Sequence, residues 1–230
     1  KRDDYAQDRL TEAALNFIQS GSDQPFFLYL AFATPHAALQ VPEAELNQYL
    51  HFEETPYTAQ RNYLPHPRPR AARAAMISNI DSAVGRLMRL LKELGIDKDT
   101  LIIFSSDNGP TPEGGGDMQF FDSNGPYRGY KRDLYEGGIR MPTLARWPGK
   151  IEPGSSSDHV SAFWDLMPTL AELAGVEAPS NDGISFLPTL LQEDQPNHES
   201  LYWEFHSAQG SHSQAVRFFD SQNKSWKAVR

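Results

Sequence analysis

A carboxylate and a carboxamide stand side by side where an apolar run stops. Leu101-Ile102-Ile103-Phe104 is followed by Ser105-Ser106 and then by Asp107-Asn108-Gly109-Pro110. Both side chains offer hard oxygen donors, the type that Ca²⁺ and Mg²⁺ take. His36 occupies a similar place, after Thr34-Pro35 and the apolar residues 26–32, and an imidazole there can move a proton near neutral pH. Lys131, two residues after Gly129 and ahead of the Gly137-Gly138 pair, can offset negative charge that develops on a substrate. Each has a plainer role as well. Asn-Gly marks hairpin turns, a histidine after Thr-Pro can cap a turn, and a lysine among turn residues is commonly solvated. A hairpin needs a second strand at once, and Pro110-Thr111-Pro112-Glu113-Gly114-Gly115-Gly116 is not one. On that stretch alone, a site and a plain loop both remain open.

The elements that must position these groups follow from periodicity. Residues 101–104 read as a short strand buried on both faces, and Phe26-Phe27-Leu28-Tyr29-Leu30-Ala31-Phe32 reads as another. Open α/β sheets bind ligands just beyond the carboxyl ends of their strands, so His36 and the Asp107-Asn108 pair are expected at one sheet edge. The spacing of Ile77, Ile80, Val84, Leu87, Leu91 and Leu94 predicts a helix over 71–94, with Pro69 before it and Gly95 after it. Leu10, Ala14, Phe17 and Ile18 predict another over 7–20, stopped by Gly21. Residues 37–69 show little period and read as a long, partly ordered excursion. Thr143-Leu144-Ala145-Arg146-Trp147-Pro148 reads as a strand, 165–174 as a helix capped by Gly175, and 186–191 as a short helical piece. The last part changes character: 201–205, 214–219 and 226–230 read as three short strands of an antiparallel meander. Residues 1–195 and 196–230 are therefore expected to be separate parts.

Composition sets outer bounds. The chain has 230 residues, 39% hydrophobic and 22% charged, which suits a folded globular protein. A net charge of −9 argues against a nucleic-acid surface. No apolar run is long enough to span a bilayer. No leader is visible, but the chain opens without Met inside an amphipathic pattern, so that says little about compartment. The absence of cysteine excludes disulfides, thiolate metal sites and a cysteine nucleophile within these residues.

Three segments, 25–36, 101–110 and 129–142, together resemble the type I, formylglycine-dependent sulfatases of the alkaline phosphatase superfamily. The matching words are Phe26-Phe27-Leu28-Tyr29-Leu30 with Thr34-Pro35-His36, then Ser106-Asp107-Asn108-Gly109-Pro110, then Gly129-Tyr130-Lys131 with Tyr135-Glu136-Gly137-Gly138-Ile139-Arg140-Met141-Pro142. Asp165-Leu166-Met167-Pro168-Thr169-Leu170 and the Trp203 and Trp226 strands match downstream.

The resemblance implies an α/β fold, a mixed central sheet sandwiched by helices, followed by the start of a small antiparallel C-terminal subdomain. It implies hydrolysis of aryl or carbohydrate sulfate monoesters, with Asp107 and Asn108 as two ligands of one Ca²⁺ (Mg²⁺ suits less well). Lys131 would hold a sulfate oxygen and His36 would sit beside the leaving oxygen, so both are catalytic and substrate-binding candidates. His206 would line the substrate mouth, and Glu136 and Arg140 would hold the turn that aims Lys131.

The family's nucleophile is a formylglycine made from Cys, or occasionally Ser, in a Cys/Ser-x-Pro/Ala-x-Arg motif near the N-terminus. No cysteine occurs here, and no serine version of the motif occurs near Lys1. The formylglycine and further metal ligands are therefore expected upstream, and the chain is expected to be inactive alone and to need that segment. The partner implied is a sulfated small molecule or glycan, and the compartment periplasmic, secreted or lysosomal. Two other readings stay open: a phosphate-ester or diester hydrolase of the same superfamily, where two metals would be expected, and a non-catalytic relative that binds a sulfated glycan.

Overall fold

The computed structural model describes residues 4–59, 63–207, 210, 212–220, 222 and 224–230. By its contacts the chain divides into two compact units, Lys1–Thr100 with Pro110–Gly125, and Leu101–Gly109 with Pro126–Arg230.

The first unit is helical. Helix α1 (Ala6–Ser20) buries Gln7, Thr11, Ala14 and Ile18, the stripe that three- and four-residue spacing places on one face. Gly21 closes it by donating its N–H to the Phe17 carbonyl at 3.1 Å. The excursion after His36 holds the short helix α2 (Glu43–Leu46) and one antiparallel bridge, Tyr57 to His66. Helix α3 (Pro69–Glu93) starts on proline, whose missing N–H costs nothing in a first turn. It packs on α1 and α2. Leu39, Ala72 and Met76 form the core cluster, with Val41 and Leu46 against it. Each fully buried side chain of Leu or Met size contributes about 1.5–3 kcal/mol.

The buried face of α3 differs from the expected one. It runs through Ala71, Ala72, Ala75, Met76, Asn79, Ile80, Ala83 and Leu91, while Ile77 is 49% exposed. Small alanines let neighbouring backbones approach closely, so packing rather than side-chain size chose the face. Helix α4 (Met118–Phe121) is capped by Asp117, which accepts from the Phe120 N–H at 2.9 Å and from two nitrogens of Arg70 at 2.9 and 2.6 Å.

The second unit carries the sheets. Strand β1 (Ile102–Ser105) is followed by the short helix α5 (Glu136–Ile139) and by β2 (Thr143–Arg146). β1 and β2 pair antiparallel, with Ile103 opposite Ala145 and Ser105 opposite Thr143. Helix α6 (Leu166–Ala174) ends on Gly175 in the left-handed conformation, and α7 (Leu187–Leu191) follows. Just ahead of α6 lies a buried carboxylate. Asp165 is fully buried and accepts from the Ala162 N–H, the Ile184 N–H and His198 Nε2 at 2.7, 2.9 and 2.8 Å. Strands β3 (Ser200–His206), β4 (His212–Phe219) and β5 (Ser225–Val229) form the expected meander, with Trp203 opposite Ala215 and Phe218 opposite Trp226.

Two expectations about strands need correcting. Residues 25–33 are extended, with exposure alternating down the chain, but no ladder pairs them among the described residues. Phe27 and Tyr29 are 69% and 79% exposed. A strand is defined by its neighbours, and an apolar run supplies only the propensity. Likewise β1 is not buried on both faces, since Phe104 is 39% exposed and β2 is its single partner among the described residues.

Candidate functional site

Asp107, Asn108 and Gly109 leave the end of β1 and run directly against α5. The Gly109 N–H donates to the Gly138 carbonyl at 2.9 Å. A Cβ on Gly109 would collide with the Gly137 carbonyl oxygen, one on Gly137 with the Gly129 carbonyl, and one on Gly138 with the Asp133 carbonyl. These contacts are backbone against backbone, so no side chain can move aside. The Gly137-Gly138 pair is thus the seam where the chain at Asp107-Asn108 and the turn bearing Lys131 come together.

The turn itself is closed at both ends. The Asp133 N–H donates to the Tyr130 carbonyl at 2.8 Å, and the Tyr130 N–H returns to the Asp133 carboxylate at 3.0 Å. The Gly137 N–H reaches the Arg128 carbonyl at 2.8 Å. Lys131, half-buried, sits inside this loop.

Glu136 anchors the seam to the C-terminal sheet. Its carboxylate meets Lys227 of β5 at 2.6 Å and Arg217 of β4 at 2.8 Å, with Arg140 further off at 3.9 Å. Burial alone would raise the Glu136 carboxyl, but hydrogen bonds and charge from Lys227 and Arg217 hold it below the usual carboxylate range. The two strand partners escaped the sequence reading. Their signal was strand alternation, which puts Lys227 on the same side of β5 as Ser225 and Val229.

Asp107 is exposed and Asn108 half-buried. Asn108 Nδ2 donates to the Gly109 carbonyl at 2.9 Å, which leaves the carboxamide oxygen on the opposite arm of the amide as an acceptor. The donor pair fits a hard divalent cation, but only in part. Ca²⁺ takes about six to eight oxygens, and no group of three or more His, Cys, Asp or Glu side chains placed to hold a metal ion occurs among the described residues.

His36 belongs to the first unit. Its N–H donates to the Ala33 carbonyl at 3.0 Å, and its Nδ1 donates to the Ala37 carbonyl at 2.6 Å. A carbonyl only accepts, so Nδ1 carries the ring proton in that contact. Gly114 of the glycine-rich loop packs on Ala37, at a place where a Cβ would strike the Ala37 side chain. His206 ends β3, where Glu204 and His212 contact its ring.

One serine stretch, Ser213-Gln214-Ala215-Val216-Arg217, spells the Ser-x-Ala-x-Arg pattern. It lies in β4, paired with β3 throughout and with β5 from Ala215 onward, and Arg217 is turned onto Glu136. The match is one of letters: Ser213 is paired opposite Phe205 of β3, and Arg217 serves the Glu136 clamp.

The fold is that of the alkaline-phosphatase-like sulfatases, a mixed helix and sheet arrangement with a small antiparallel sheet. The family model for Sulfatase matches residues 2–176, and that for N-sulphoglucosamine sulphohydrolase, C-terminal, matches residues 123–230. The chain belongs to the sulfatase family. It is 35% identical over 202 residues to N-acetylgalactosamine-6-sulfatase of Mus musculus, covering 84% of this chain and 34% of that protein. To steryl-sulfatase of Rattus norvegicus it is 34% identical over 200 residues, covering 84% and 31%. A crystal structure of Ps i-CgsB in complex with k-i-k-neocarrahexaose superposes with a TM-score of 0.77 at 27% identity, over 97% of this chain and 48% of that one. The chain thus spans about a third of the length of these curated relatives.

Proposed function

We propose that these residues serve in the hydrolysis of a sulfate monoester to an alcohol and inorganic sulfate. The observation that carries the reading is the glycine seam, which ties the Asp107-Asn108 pair and the Lys131 turn into one rigid piece within a sulfatase-family chain. In this reading Asp107 and Asn108 hold one Ca²⁺, which when bound draws charge from the sulfuryl oxygens. The Lys131 ammonium holds a sulfate oxygen and offsets the charge that grows there as the S–O bond breaks. His36, as an imidazolium whose Nδ1–H is held by the Ala37 carbonyl, would give its Nε2 proton to the departing alkoxide and be left neutral. His206 borders the substrate. Its class is a carbohydrate or aryl sulfate, a choice framed by relatives named for a sugar 6-sulfate and a steryl sulfate.

A formylglycine nucleophile is part of the same family reading, and these residues do not fit it. They include no cysteine, and their one Ser-x-Ala-x-Arg stretch is locked in β4. No step is therefore derived through it. The 230 residues expressed alone are expected to release no sulfate.

The test uses the full-length protein, assayed for sulfate release from an activated aryl sulfate and from a 6-sulfated sugar, with calcium content measured in parallel. Asp107→Ala should lose both bound Ca²⁺ and turnover while its circular dichroism is unchanged, because an exposed ligand rather than a core residue is removed. Asn108→Ala should lose less of each, since its ligand is neutral. Wild-type activity and calcium in Asp107→Ala would sink the assignment.

A further inference from the structure

The surroundings of His36 lie within the first unit and are built from two loops 50 residues apart in the chain. His36 is exposed, and the Tyr63 ring stands beside it, 6.0 Å between centroids and inclined at 65°. The Tyr63 hydroxyl donates to Glu113 Oε2 at 3.4 Å. Tyr63 and Glu113 are half-buried, so each keeps part of its surface open to a ligand on His36.

The main chain holds Glu113 from behind. Its N–H donates to Thr111 Oγ1 at 3.2 Å, and its carbonyl accepts from Nη2 of the buried Arg73 at 3.3 Å. The next residue, Gly114, is buried against Ala37. The base of the side chain is therefore fixed, while its contact with Tyr63 is long, since an O–H···O bond settles at about 2.7–2.8 Å. A carboxylate has several acceptor positions, and a ligand hydroxyl can replace so weak a contact.

We propose that Tyr63 and Glu113 receive the alcohol part of the ester, and that this alcohol is a carbohydrate ring with free hydroxyls next to the sulfate, a proposal that rests on His36 as donor to the departing oxygen. A general acid works within hydrogen-bond reach of the atom it protonates, about 2.6–3.2 Å. The ring that carries that oxygen then lies against what stands beside the imidazole. A pyranose offers an apolar C–H face to Tyr63 and hydroxyl donors to Glu113. An aryl or steroid alcohol covers the tyrosine ring equally well but brings no donor to the carboxylate, which loses water without replacement. A second sulfate at the adjoining position sets like charges together.

The test uses the full-length protein, a panel of hexose and N-acetylhexosamine monosulfates, and para-nitrophenyl sulfate. Glu113→Gln should lower kcat/KM for the best sugar sulfate about 10–100-fold, the scale of a hydrogen bond to a charged group. Tyr63→Ala should also lower it, and in both variants the loss on the aryl ester should be clearly smaller. Tyr63→Phe keeps the ring and should keep most of the sugar-sulfate activity. Leu64→Ala, at a position 60% exposed, should change neither rate. Saturation-transfer NMR with the sulfate-free form of the best sugar reads the same surface without turnover. Binding is expected in the wild type and should be lost in Tyr63→Ala and Glu113→Gln. Thermal melts report folding, and Glu113→Gln preserves side-chain shape if Tyr63→Ala unfolds. Absence of sulfate release by the wild type, with sugar binding that depends on Tyr63, would sink the hydrolytic reading and leave this surface standing. No sugar binding by the wild type, equal losses on sugar and aryl esters, or binding unchanged in Glu113→Gln would overturn the proposal.

Discussion

Two stretches of this chain look alike on paper and are held in different ways. Residues 26–36 and 101–108 are each an apolar run that ends in polar groups able to do chemistry. The second is fastened by main chain: β2 pairs with β1, and Gly109, Gly129, Gly137 and Gly138 lie backbone to backbone. The first is extended without a ladder among the described residues, and its histidine is fixed by local bonds to Ala33 and Ala37. Apolar content sets how much a segment gains by burial, whereas glycine and register set how rigidly its last residues are aimed.

Breaking the seam should have the largest effect. Gly109→Ala or Gly137→Ala forces a methyl group into a carbonyl oxygen that cannot move aside, and is expected to cost about 3 kcal/mol or more, toward the upper end for overpacking. Urea denaturation would read this as a lower midpoint. Gly114→Ala, the matching change beside His36, strikes Cβ of Ala37, on a stretch that no ladder holds among the described residues and that can shift as a segment, at a φ of 65° that alanine tolerates with strain. It should cost about 1–2 kcal/mol. Equal costs in the two regions would erase the comparison.

The clamp behind the seam comes next. Glu136→Gln leaves Lys227 and Arg217, 12% and 15% exposed, facing a neutral amide. Roughly 2 kcal/mol is expected, less than the figure of about 3–5 for a fully buried pair because water still reaches these groups. The pH dependence has a definite sign. A carboxyl depressed in the folded chain stabilises it fully above its ordinary value, here 4.5, and that contribution is lost as the pH falls through the folded value. Wild-type melting temperature should therefore fall below pH 4.5, with a smaller fall in Glu136→Gln. Parallel curves for the two proteins would remove Glu136 from the account.

The smallest effect is chemical. His36→Ala should slow esters with poor leaving groups more than activated aryl sulfates, because only the former need a proton. Equal losses on both would leave His36 with a positioning role alone.

Much of this was legible in the sequence, for identifiable reasons. The α3 and α6 helices, the β1–β2 strands and the C-terminal meander follow from periodicity and from stops such as Gly175. The resemblance gives Glu136 the task of holding the turn that carries Lys131, though spacing alone does not say which carbonyl sits opposite which glycine. Lys227 and Arg217 look like ordinary strand residues, because their common partner Glu136, 91 residues from Lys227, is set by tertiary packing and not by local pattern. The buried face of α3 is mostly alanine, which carries a weaker apolar periodicity than the stripe through Ile77, Val84 and Leu87. The His206–His212 pair depended on hairpin register, which the intervening Ser and Gly residues do not specify.

The central claim is that the seam exists to aim Lys131 at the ester that the Asp107-Asn108 pair helps to hold. Its most direct test is the kinetics of sulfate release by the full-length protein carrying Lys131→Ala. The account predicts a drop in kcat/KM on the order of 10²–10³, the scale for losing one group that stabilises developing charge, at an unchanged melting temperature. A drop of less than about threefold, or one matched by unfolding, would contradict it.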